Sequence, residues 1–286
     1  MKRWSNLCLA VGLSGLFAAI GAAGDPKWVP SPHAVPLDPH VWCAEFRTSC
    51  GGRVVTARAR FAQIDTRPLV WVVDGAGDLK GCSNALALAN RQAGETAELS
   101  VFLWSHGYRQ LYRDQTDWAH AKTQGTRLAA AIRERAAREP NRRVVLVAHS
   151  AGCAVALAAG DALPPDSIDR TILLAPSVSA GYDLRPSLWA AREGVDVFCS
   201  HKDWVALGFV VRVVGTADHG RGSAAGRVGF RPKGASALDV ATNTRLRQHF
   251  WSADQKWTGH NGGHHGMHSP AFVLAYLFPL IGAPVN

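Results

Sequence analysis

Short apolar runs recur along this chain, and stretches with helical periodicity separate most of them. The predicted central strands, in chain order, are Leu69–Val73, Leu99–Trp104, Val144–Val147, Thr171–Ala175, Val195–Cys199 and Phe209–Val214. The predicted helices are Ser83–Gln92, Asp117–Arg138, Ser187–Arg192 and Ala271–Leu280. Several strand runs are continuously apolar, which is typical of strands buried on both faces. Strands that alternate with helices predict right-handed crossovers and an α/β fold, with a mainly parallel sheet covered by helices on both faces.

The pattern is less regular towards the two ends of the chain. Val54–Ile64 alternates apolar and polar positions, which predicts one or two edge strands. The proline-rich stretch Asp25–Pro39 belongs to an expected extended lead-in over residues 25–53. The glycine-rich stretch Gly215–Gly263 has no pattern that assigns it to an element. We expect residues 54–286 to form a single domain, because a chain of this length can bury one sizeable core.

The strongest motif follows the strand Val144–Val147. It is the segment AHSAG at residues 148–152, and a small-residue apolar helix is predicted directly behind it. A serine in a sharp turn between a strand and a helix is the context of a G-x-S-x-G nucleophile elbow, here with Ala148 in place of the first glycine. The flanking positions must be small because strand and helix approach closely around a strained serine backbone. The alternative role for Ser150 is a helix N-cap.

This strand–turn–helix resembles the α/β-hydrolase superfamily, and its Ala-x-Ser-x-Gly form is similar to that of some bacterial lipases. The resemblance implies a catalytic triad in the chain order serine, acid, histidine. It implies Ser150 as the nucleophile. It also implies Asp203 as the acid, because Asp203 lies just past the strand Val195–Cys199. Asp183 and Asp218 are the alternatives for the acid.

The histidine is expected in the segment HNGGHHGMHSP at residues 260–270, which carries four histidines. His264 follows two glycines that let the backbone bend, and its Gly-Gly-His-x-Gly context resembles a loop of exported bacterial hydrolases. His260, His265 and His268 remain alternatives. The cluster is also a candidate zinc site, since imidazole is a common zinc ligand. We expect no metal and no cofactor, because the glycines and Pro270 disfavour a helix and the glutamate of H-E-x-x-H is missing.

Acyl transfer also needs preset donors for the oxyanion of its tetrahedral intermediate. The resemblance implies the backbone N–H of Ala151 as one donor and an N–H in the turn after the first central strand as the other. By position we choose Ala76, with Gly77 as the alternative. Asp74 stands where related enzymes often carry histidine, and its carboxylate is expected to turn away and accept hydrogen bonds from the glycine-rich turn behind it.

Three further residues are candidates for the substrate pocket: His149, Trp104 and His106. Trp104 ends the predicted strand Leu99–Trp104, His106 lies in the loop after it, and His149 precedes the motif serine. The alternative role for His106 is that of a structural histidine whose ring nitrogens are hydrogen-bonded.

Charge and the first residues bear on partners and location. The formal net charge is +9, but the basic residues are scattered and form no stripe with interleaved aromatics, so we expect no nucleic-acid partner. Met1–Gly24 has a basic start, the apolar stretch Leu7–Ile20 and a small-residue exit, which predicts a signal peptide and a secreted or periplasmic protein. A membrane span needs about 20 apolar residues, so we expect no stable span after cleavage.

Export changes the interpretation of the cysteines. Cys43 and Cys50 flank a short segment, which predicts a small-loop disulfide in an oxidising compartment, with two unpaired thiols as the alternative. Cys153 and Cys199 lie in apolar contexts and are expected to be small buried hydrophobic residues.

The sequence therefore predicts an exported serine hydrolase that cleaves a small-molecule or lipid ester. The resembling superfamily often carries a cap domain between the strands on either side of Ser187–Arg192, and their short separation here therefore implies little or no cap domain. Amidases, thioesterases and acyltransferases use the same catalytic groups, and a binding module could retain the fold without the chemistry. The oligomeric state is not predicted.

Overall fold

The computed structural model describes residues 65–203, 207, 215–220, 222–231 and 244–282, together with the backbone of residues 41–50 and 53–62. The chain divides into two compact units, Met1–Asp65 and Thr66–Asn286. The predicted signal peptide and the stretch Asp25–Pro39 lie outside the described residues, so both stay predictions.

The first unit contains an antiparallel hairpin of β1 (Val41–Cys50) and β2 (Arg53–Ala62). β2 covers most of the predicted edge-strand stretch, but it pairs with β1 in a separate two-stranded sheet. Cys43 and Cys50 both lie on β1. At a strand rise of about 3.3 Å per residue, their Cα atoms are roughly 23 Å apart, whereas a disulfide needs a separation below about 7 Å. The strand therefore does not fit the predicted disulfide.

The second unit carries the remaining elements. Its described strands are β3 (Leu69–Val73), β4 (Glu98–Val101), β5 (Val144–His149), β6 (Arg170–Leu174), β7 (Val195–Cys199) and β8 (Leu246–Phe250). Its described α-helices are α1 (Gly81–Gln92), α2 (Leu111–Thr116), α3 (Trp118–Arg138), α4 (Gly152–Ala162), α5 (Arg185–Ala190), α6 (Ala225–Val228), α7 (Pro270–Phe272) and α8 (Phe278–Ile281). A π-helical turn (Val273–Leu277) joins α7 to α8, and 3₁₀ turns lie at Ala253–Thr258 and Gly266–His268.

The six strands of the second unit form one parallel sheet in the order β4-β3-β5-β6-β7-β8. The central strands predicted as far as Val195–Cys199 are confirmed, with ends shifted by a few residues. The four predicted helices are confirmed as α1, α3, α5 and the segment from α7 to α8. β5 lies between β3 and β6, so the turn that carries Ser150 is flanked on both sides by other strand ends.

Both faces of the sheet are covered by helices, as the continuous apolar runs predict. On β5, Leu146 and Ala148 belong to a core formed with α3, α4 and α5. Val145 and Val147 belong to the opposite core, formed with α1 and the closing helical segment. Every residue of β5 is buried, because a strand between two helix layers has no solvent face.

The last strand differs from the prediction. Phe209–Val214 lies outside the described residues, and the strand that pairs with β7 is β8, in the stretch left without an assignment. The sequence of β8, LRQHF, has three consecutive polar residues between Leu246 and Phe250, and the strand lies at the end of the sheet order. A search for continuous apolar runs therefore misses it.

Polar residues of β8 join a buried ion pair. The carboxylate of Asp196 on β7 is fully buried and accepts hydrogen bonds from Arg170 at 2.5 Å, Arg247 at 2.9 and 2.8 Å, and His249 Nε2 at 2.8 Å. Burial alone would raise the pKa of Asp196, but the bonds from His249, Arg247 and Arg170 outweigh it and hold the pKa below its ordinary value. The network ties β6, β7 and β8 together.

The chain between β6 and β7 is described throughout, and it contains α5 and no inserted domain. Among the described residues, no helix combines the length and the apolarity that a bilayer span requires.

Candidate active site

Four loops meet at one edge of the parallel sheet. They follow β3, β5, β7 and β8, and they carry in turn Ala76, Ser150, Asp203 and His264. The carboxyl ends of parallel strands lie at the same edge, so residues far apart in the chain come together there.

Ser150 lies in the turn between β5 and α4 with a φ of 53°. A side chain in this left-handed region is strained, and the surrounding packing holds it there. A Cβ on Gly152 would lie 2.2 Å from the carbonyl oxygen of Asp74 and 2.8 Å from that of Val73, so a glycine is required where α4 passes β3. Ala148, at the other small position, is fully buried. The turn has the geometry of a nucleophile elbow.

His264 bridges Ser150 and Asp203. Its Nε2 lies 2.9 Å from Ser150 Oγ, and its Nδ1 lies 2.5 Å from Asp203 Oδ2. A carboxylate only accepts hydrogen bonds, so Nδ1 donates to Asp203 and Nε2 is left to accept the serine hydroxyl proton. The side chain of Asp203 is only 2% exposed, and its Oδ1 accepts the backbone N–H of Leu207 at 3.3 Å.

The loops that carry Asp203 and His264 are fastened to each other. The buried hydroxyl of Ser200, at the end of β7, donates to the carbonyl oxygen of Gly262 at 2.6 Å. Trp251 Nε1 donates to the carbonyl oxygen of His260 at 2.9 Å. These bonds fix the histidine loop relative to the end of β7, and so position the imidazole beside the carboxylate.

The alternative acids lie elsewhere. Asp183 forms an exposed ion pair with Arg185. Asp218 accepts the backbone N–H of Ser179 at 2.8 Å and its hydroxyl at 2.5 Å. In the part of the chain that the structure describes, neither carboxylate is hydrogen-bonded to a histidine.

The alternative histidines also occupy other positions. His260 is buried against Phe272, and burial lowers its pKa to about 4. His265 and His268 lie beside His149, with ring centroids 5.9 and 4.3 Å from it. Among the four histidines of this loop, His264 is the one hydrogen-bonded to Ser150.

Two backbone donors near Ser150 have no acceptor within the described residues. They are the N–H groups of Ala151 and Ala76, and Ala76 lines the same cavity as Ser150. The alternative, Gly77, donates its N–H to Asp114 Oδ2 at 2.7 Å and is therefore engaged. Preset donors of this kind are what a developing oxyanion requires.

Asp74 turns away from this position, but its partners differ from those expected. Its Oδ1 accepts the backbone N–H groups of Cys82 at 2.9 Å and Ser83 at 3.0 Å. The predicted hydrogen bonds to the turn behind it are therefore wrong. A carboxylate at the first turn of α1 also faces the positive end of the helix dipole, which favours its charge there.

Two of the pocket candidates serve the surrounding structure. Trp104 is buried, and its Nε1 donates to the carbonyl oxygen of Asp74 at 2.7 Å. His106 contacts Asp114 Oδ1 through Nδ1 at 2.8 Å and stacks on His120 at 3.9 Å. Neither lines the cavity beside Ser150, whereas the third candidate, His149, does.

Asp114 is a buried residue of α2 that has no signal in the sequence. Its Oδ2 accepts the Gly77 N–H and the Ser105 hydroxyl, the latter at 2.5 Å. Its Oδ1 accepts the His106 backbone N–H at 2.8 Å. One carboxylate therefore connects the turn after β3 to the loop after β4, and it fixes the backbone next to the N–H of Ala76.

We expect Asp114→Asn to lower kcat/KM by up to about 100-fold, near the lower end of the cost of losing one oxyanion donor. The amide replaces one acceptor oxygen with a donor, so the turn at Gly77 or the His106 contact must rearrange. Steady-state kinetics measure the effect, which falls on kcat more than on KM. Asp117→Asn is the matched control, because Asp117 contacts His106 and not Gly77. Equal effects of the two substitutions would contradict the positioning role.

A cavity of about 340 Å³ opens beside Ser150. Its apolar lining includes Leu79, Leu111 and Leu207. The other residues that line it include Gln115, Ser177 and the histidines 149, 264, 265 and 268.

His149 is the buried member of a group of three histidines in this cavity. Its Nε2 donates to the carbonyl oxygen of His264 at 3.3 Å. Burial, and then the proximity of His264 and His268, lowers the pKa of His149 well below its ordinary value, so the ring is neutral at physiological pH. The ring nitrogens of His149, His265 and His268 lie within 4.8 Å of one another, which makes these residues the candidates for holding a metal ion in the described part of the chain.

A parallel sheet covered on both faces, with a serine elbow in contact with an imidazole and a carboxylate, is the arrangement of the α/β-hydrolase fold, and this chain has that fold. Residues 103–194 match the family model of serine hydrolases. The matched segment is less than half of the chain; it includes Ser150 and its elbow and ends before Asp203 and His264.

Solved structures with a similar fold include several hydrolases. A predicted CIB-like hydrolase from Thermoplasma acidophilum is 15% identical, with 84% of this chain and 98% of that chain covered and a TM-score of 0.41. An acetyl xylan esterase is 12% identical, with coverages of 76% and 100% and a TM-score of 0.41. A cold-adapted esterase from an Arctic intertidal metagenomic library is 13% identical, with coverages of 80% and 94% and a TM-score of 0.38. Comparison with curated protein sequences gives no match.

Proposed function

We propose that this protein hydrolyses a carboxylic ester through an acyl-enzyme formed on Ser150. One observation carries the proposal: His264 lies 2.9 Å from the Ser150 hydroxyl on one side and 2.5 Å from the Asp203 carboxylate on the other. A serine hydroxyl is a poor nucleophile until a base takes its proton, and the base must be held by a third group.

In the first step, Ser150 Oγ attacks the acyl carbon while His264 Nε2 takes its proton. The imidazolium is stabilised by Asp203, which is itself buried and hydrogen-bonded through its second oxygen. His264 then gives the proton to the leaving alkoxide, and the alcohol departs. In the second step, water loses a proton to His264 and attacks the acyl-enzyme, which releases the acid and restores Ser150.

Negative charge develops on the carbonyl oxygen in both steps. The N–H groups of Ala151 and Ala76 are the proposed oxyanion donors. Three features support them: the first lies just past the elbow, the second lines the cavity, and neither has an acceptor within the described residues. The N–H of Gly77 is held by Asp114 and takes no part.

The substrate class follows from the size and lining of the cavity. A volume of about 340 Å³ lies near the lower end of the range of small-molecule pockets, about 300–1,000 Å³. The three leucines in its lining offer apolar contact to a short acyl chain. A small-molecule ester with a short acyl group is therefore the proposed substrate.

We also propose that the protein is exported to the periplasm or the medium. The support is the sequence of residues 1–24, with its basic start, short apolar middle and small-residue exit. The buried thiols of Cys82, Cys153 and Cys199 are unpaired in the described structure. Buried unpaired thiols are protected from oxidants by their lack of exposure.

A fluorophosphonate probe tests the nucleophile. We expect covalent labelling of the wild-type protein and none of Ser150→Ala. Ser177→Ala is the matched control, because Ser177 lines the same cavity but its hydroxyl donates to Gln115 and contacts no imidazole among the described residues. Labelling of Ser150→Ala, or its loss in Ser177→Ala alone, would contradict the assignment.

A series of p-nitrophenyl esters of rising chain length tests the substrate class. We expect kcat/KM for butyrate to exceed that for palmitate by about 10-fold or more, because the cavity cannot hold the longer chain. The measurement uses the protein without residues 1–24. Inactivity on every ester, with fluorophosphonate labelling intact, would instead indicate an amide or a larger substrate.

A further inference from the structure

Three histidines outside the Ser150–His264–Asp203 group surround the same cavity. His149 comes from the end of β5, and His265 and His268 come from the loop before α7. Their ring centroids are 4.3, 5.2 and 5.9 Å apart. His149 is buried, His268 is partly buried and His265 is exposed, so the group reaches from the floor of the cavity to solvent.

We propose that His149, His265 and His268 form a binding site for a divalent transition-metal ion, with Zn²⁺ as the best fit. The donor set carries the proposal, because three neutral imidazoles and one open position are a common zinc arrangement. The proposed site uses no ligand from the Ser150–His264–Asp203 group, so His264 keeps its hydrogen bonds to Ser150 and Asp203.

The spacing of the rings suits one ion. Imidazoles that point at a tetrahedral Zn²⁺ with bonds of about 2.0–2.1 Å have ring centroids roughly 5 Å apart. The observed separations of 4.3 to 5.9 Å lie on both sides of this value. The ligand atoms now lie within 4.8 Å of one another, and tetrahedral coordination needs about 3.3 Å. Modest ring rotations close that difference, most readily at the exposed His265.

The hydrogen bonds of His149 and His268 leave each ring a nitrogen whose lone pair can bind an ion. The carbonyl oxygen of His264 only accepts, so His149 Nε2 carries the proton and Nδ1 carries the lone pair. A metal-ligating histidine typically donates its other N–H to such a carbonyl. His268 Nε2 is buried and has no hydrogen-bond partner among the described residues. Such an unpaired buried nitrogen is costly unless a ligand contacts it.

Two of these rings pack against glycines, at positions where a side chain would collide with the ring. A Cβ on Gly75 would lie 2.9 Å from His149 Nδ1, and a Cβ on Gly81 would lie 2.6 Å from His268 Nδ1.

The ion would oppose the proposed hydrolysis. The His264 ring lies 4.8 Å from that of His149 and 5.1 Å from that of His265, so a dication between them would raise the cost of forming the His264 imidazolium. Zn²⁺ would therefore inhibit reversibly, and a chelator would restore activity. This consequence rests on the proposed function, whereas binding itself does not.

Binding is measured on the full-length protein without an affinity tag, by calorimetry with Zn²⁺ and by visible absorption with Co²⁺. We expect one ion per chain, and an affinity at least about 10-fold lower in His265→Gln and in His268→Gln, because loss of a ligand costs no less than loss of its supporting partner. His201→Gln, at an exposed histidine stacked on Phe250, is the matched control and should bind as the wild type does.

His264→Gln decides between the proposed site and the Ser150 group. Retention of the ion in His264→Gln and in Ser150→Ala, with loss in His268→Gln, supports the three-histidine site even if no hydrolysis is ever detected. Loss of the ion in His264→Gln together with retention in His268→Gln places the metal on the triad and overturns the proposal. Absence of Zn²⁺ and Co²⁺ binding to the wild type at millimolar concentration overturns it as well. Thermal melting confirms folding of each variant, and exposed His265 provides a substitution with little structural cost.

Discussion

Replacement of Ser150 by alanine is expected to lower kcat by about 10⁶-fold, and replacement of His264 by alanine should cost nearly as much. The two residues act as one unit, because the hydroxyl attacks only when the imidazole takes its proton. The double variant Ser150→Ala/His264→Ala should therefore be no slower than either single variant. The residual rate should exceed that in water by about 10³–10⁴-fold, from substrate binding and the backbone donors alone.

Steady-state kinetics on the best ester of the chain-length series measure the kcat of each variant, and active-site titration excludes traces of wild-type protein. Asp203→Asn should be less severe, near 10⁴-fold, because the imidazole stays in place but takes the wrong tautomer. Ser177→Ala again provides the serine control, and its kcat should stay within a few-fold of the wild type. A multiplicative loss in the double variant would show that Ser150 and His264 act independently, which would remove the basis of the acyl-enzyme proposal.

The elbow could be predicted from the sequence because its determinants are local. Residues 144–162 contain the strand, the turn and the helix, and the requirement for Gly152 follows from the close passage of α4 and β3. The hydrogen bonds of His264 instead join residues 61 and 114 positions apart. No local spacing rule covers such separations. The prediction of Asp203 and His264 therefore depends on the chain order of catalytic residues in the superfamily that the sequence resembles, and on the position of each loop after a strand.

What could not be predicted depends on contacts between distant elements. The sequence predicts that Asp74 accepts hydrogen bonds from its own turn. The carboxylate instead accepts them from the first N–H groups of α1, which are already aligned and have no partner within the helix. Asp114 lies in a polar stretch with no motif, and its role exists only because α2 packs next to the turn at Gly77. β8 was missed because its polar residues are satisfied by Asp196 on another strand.

The histidine cluster shows the same limit. The sequence argues against a metal site because an α-helix over residues 264–268 is disfavoured, and the structure has a 3₁₀ turn at Gly266–His268. However, the third imidazole is supplied by His149 from β5, more than a hundred residues earlier in the chain. A pattern within one segment does not reveal a site whose members come from the end of β5 and from the loop before α7.

Asp196→Ala is expected to destabilise the fold by about 3 kcal/mol, at the lower end of the cost of breaking a buried ion pair. The side chain of Asp196 is fully buried, and its loss leaves Arg247 without its carboxylate and leaves Arg170 with Glu193 alone. The cost is held to the lower end because Arg247 is 37% exposed and can be hydrated. For a chain of this size the melting temperature should fall by roughly 6–12 °C.

The pH dependence of this effect has a defined sign. The pKa of Asp196 is lowered in the folded state, so its contribution is complete above the unfolded pKa of about 3.9 and is lost as the pH falls through the folded value. The Arg143 and Arg170 partners lower the pKa of Glu193 to about 2, which adds a further loss of stability between about pH 4.5 and pH 2.

The difference in stability between wild type and Asp196→Ala should therefore be constant near neutrality and shrink below about pH 4. Urea unfolding at a series of pH values measures it. Asp183→Ala is the control, because Asp183 forms an exposed ion pair with Arg185 and should contribute less than about 1 kcal/mol. Equal destabilisation by the two substitutions, or a difference that does not change with pH, would show that the charge on Asp196 does not hold β6, β7 and β8 together. The placement of Asp203, a few residues past β7, would then have to depend on the apolar core alone.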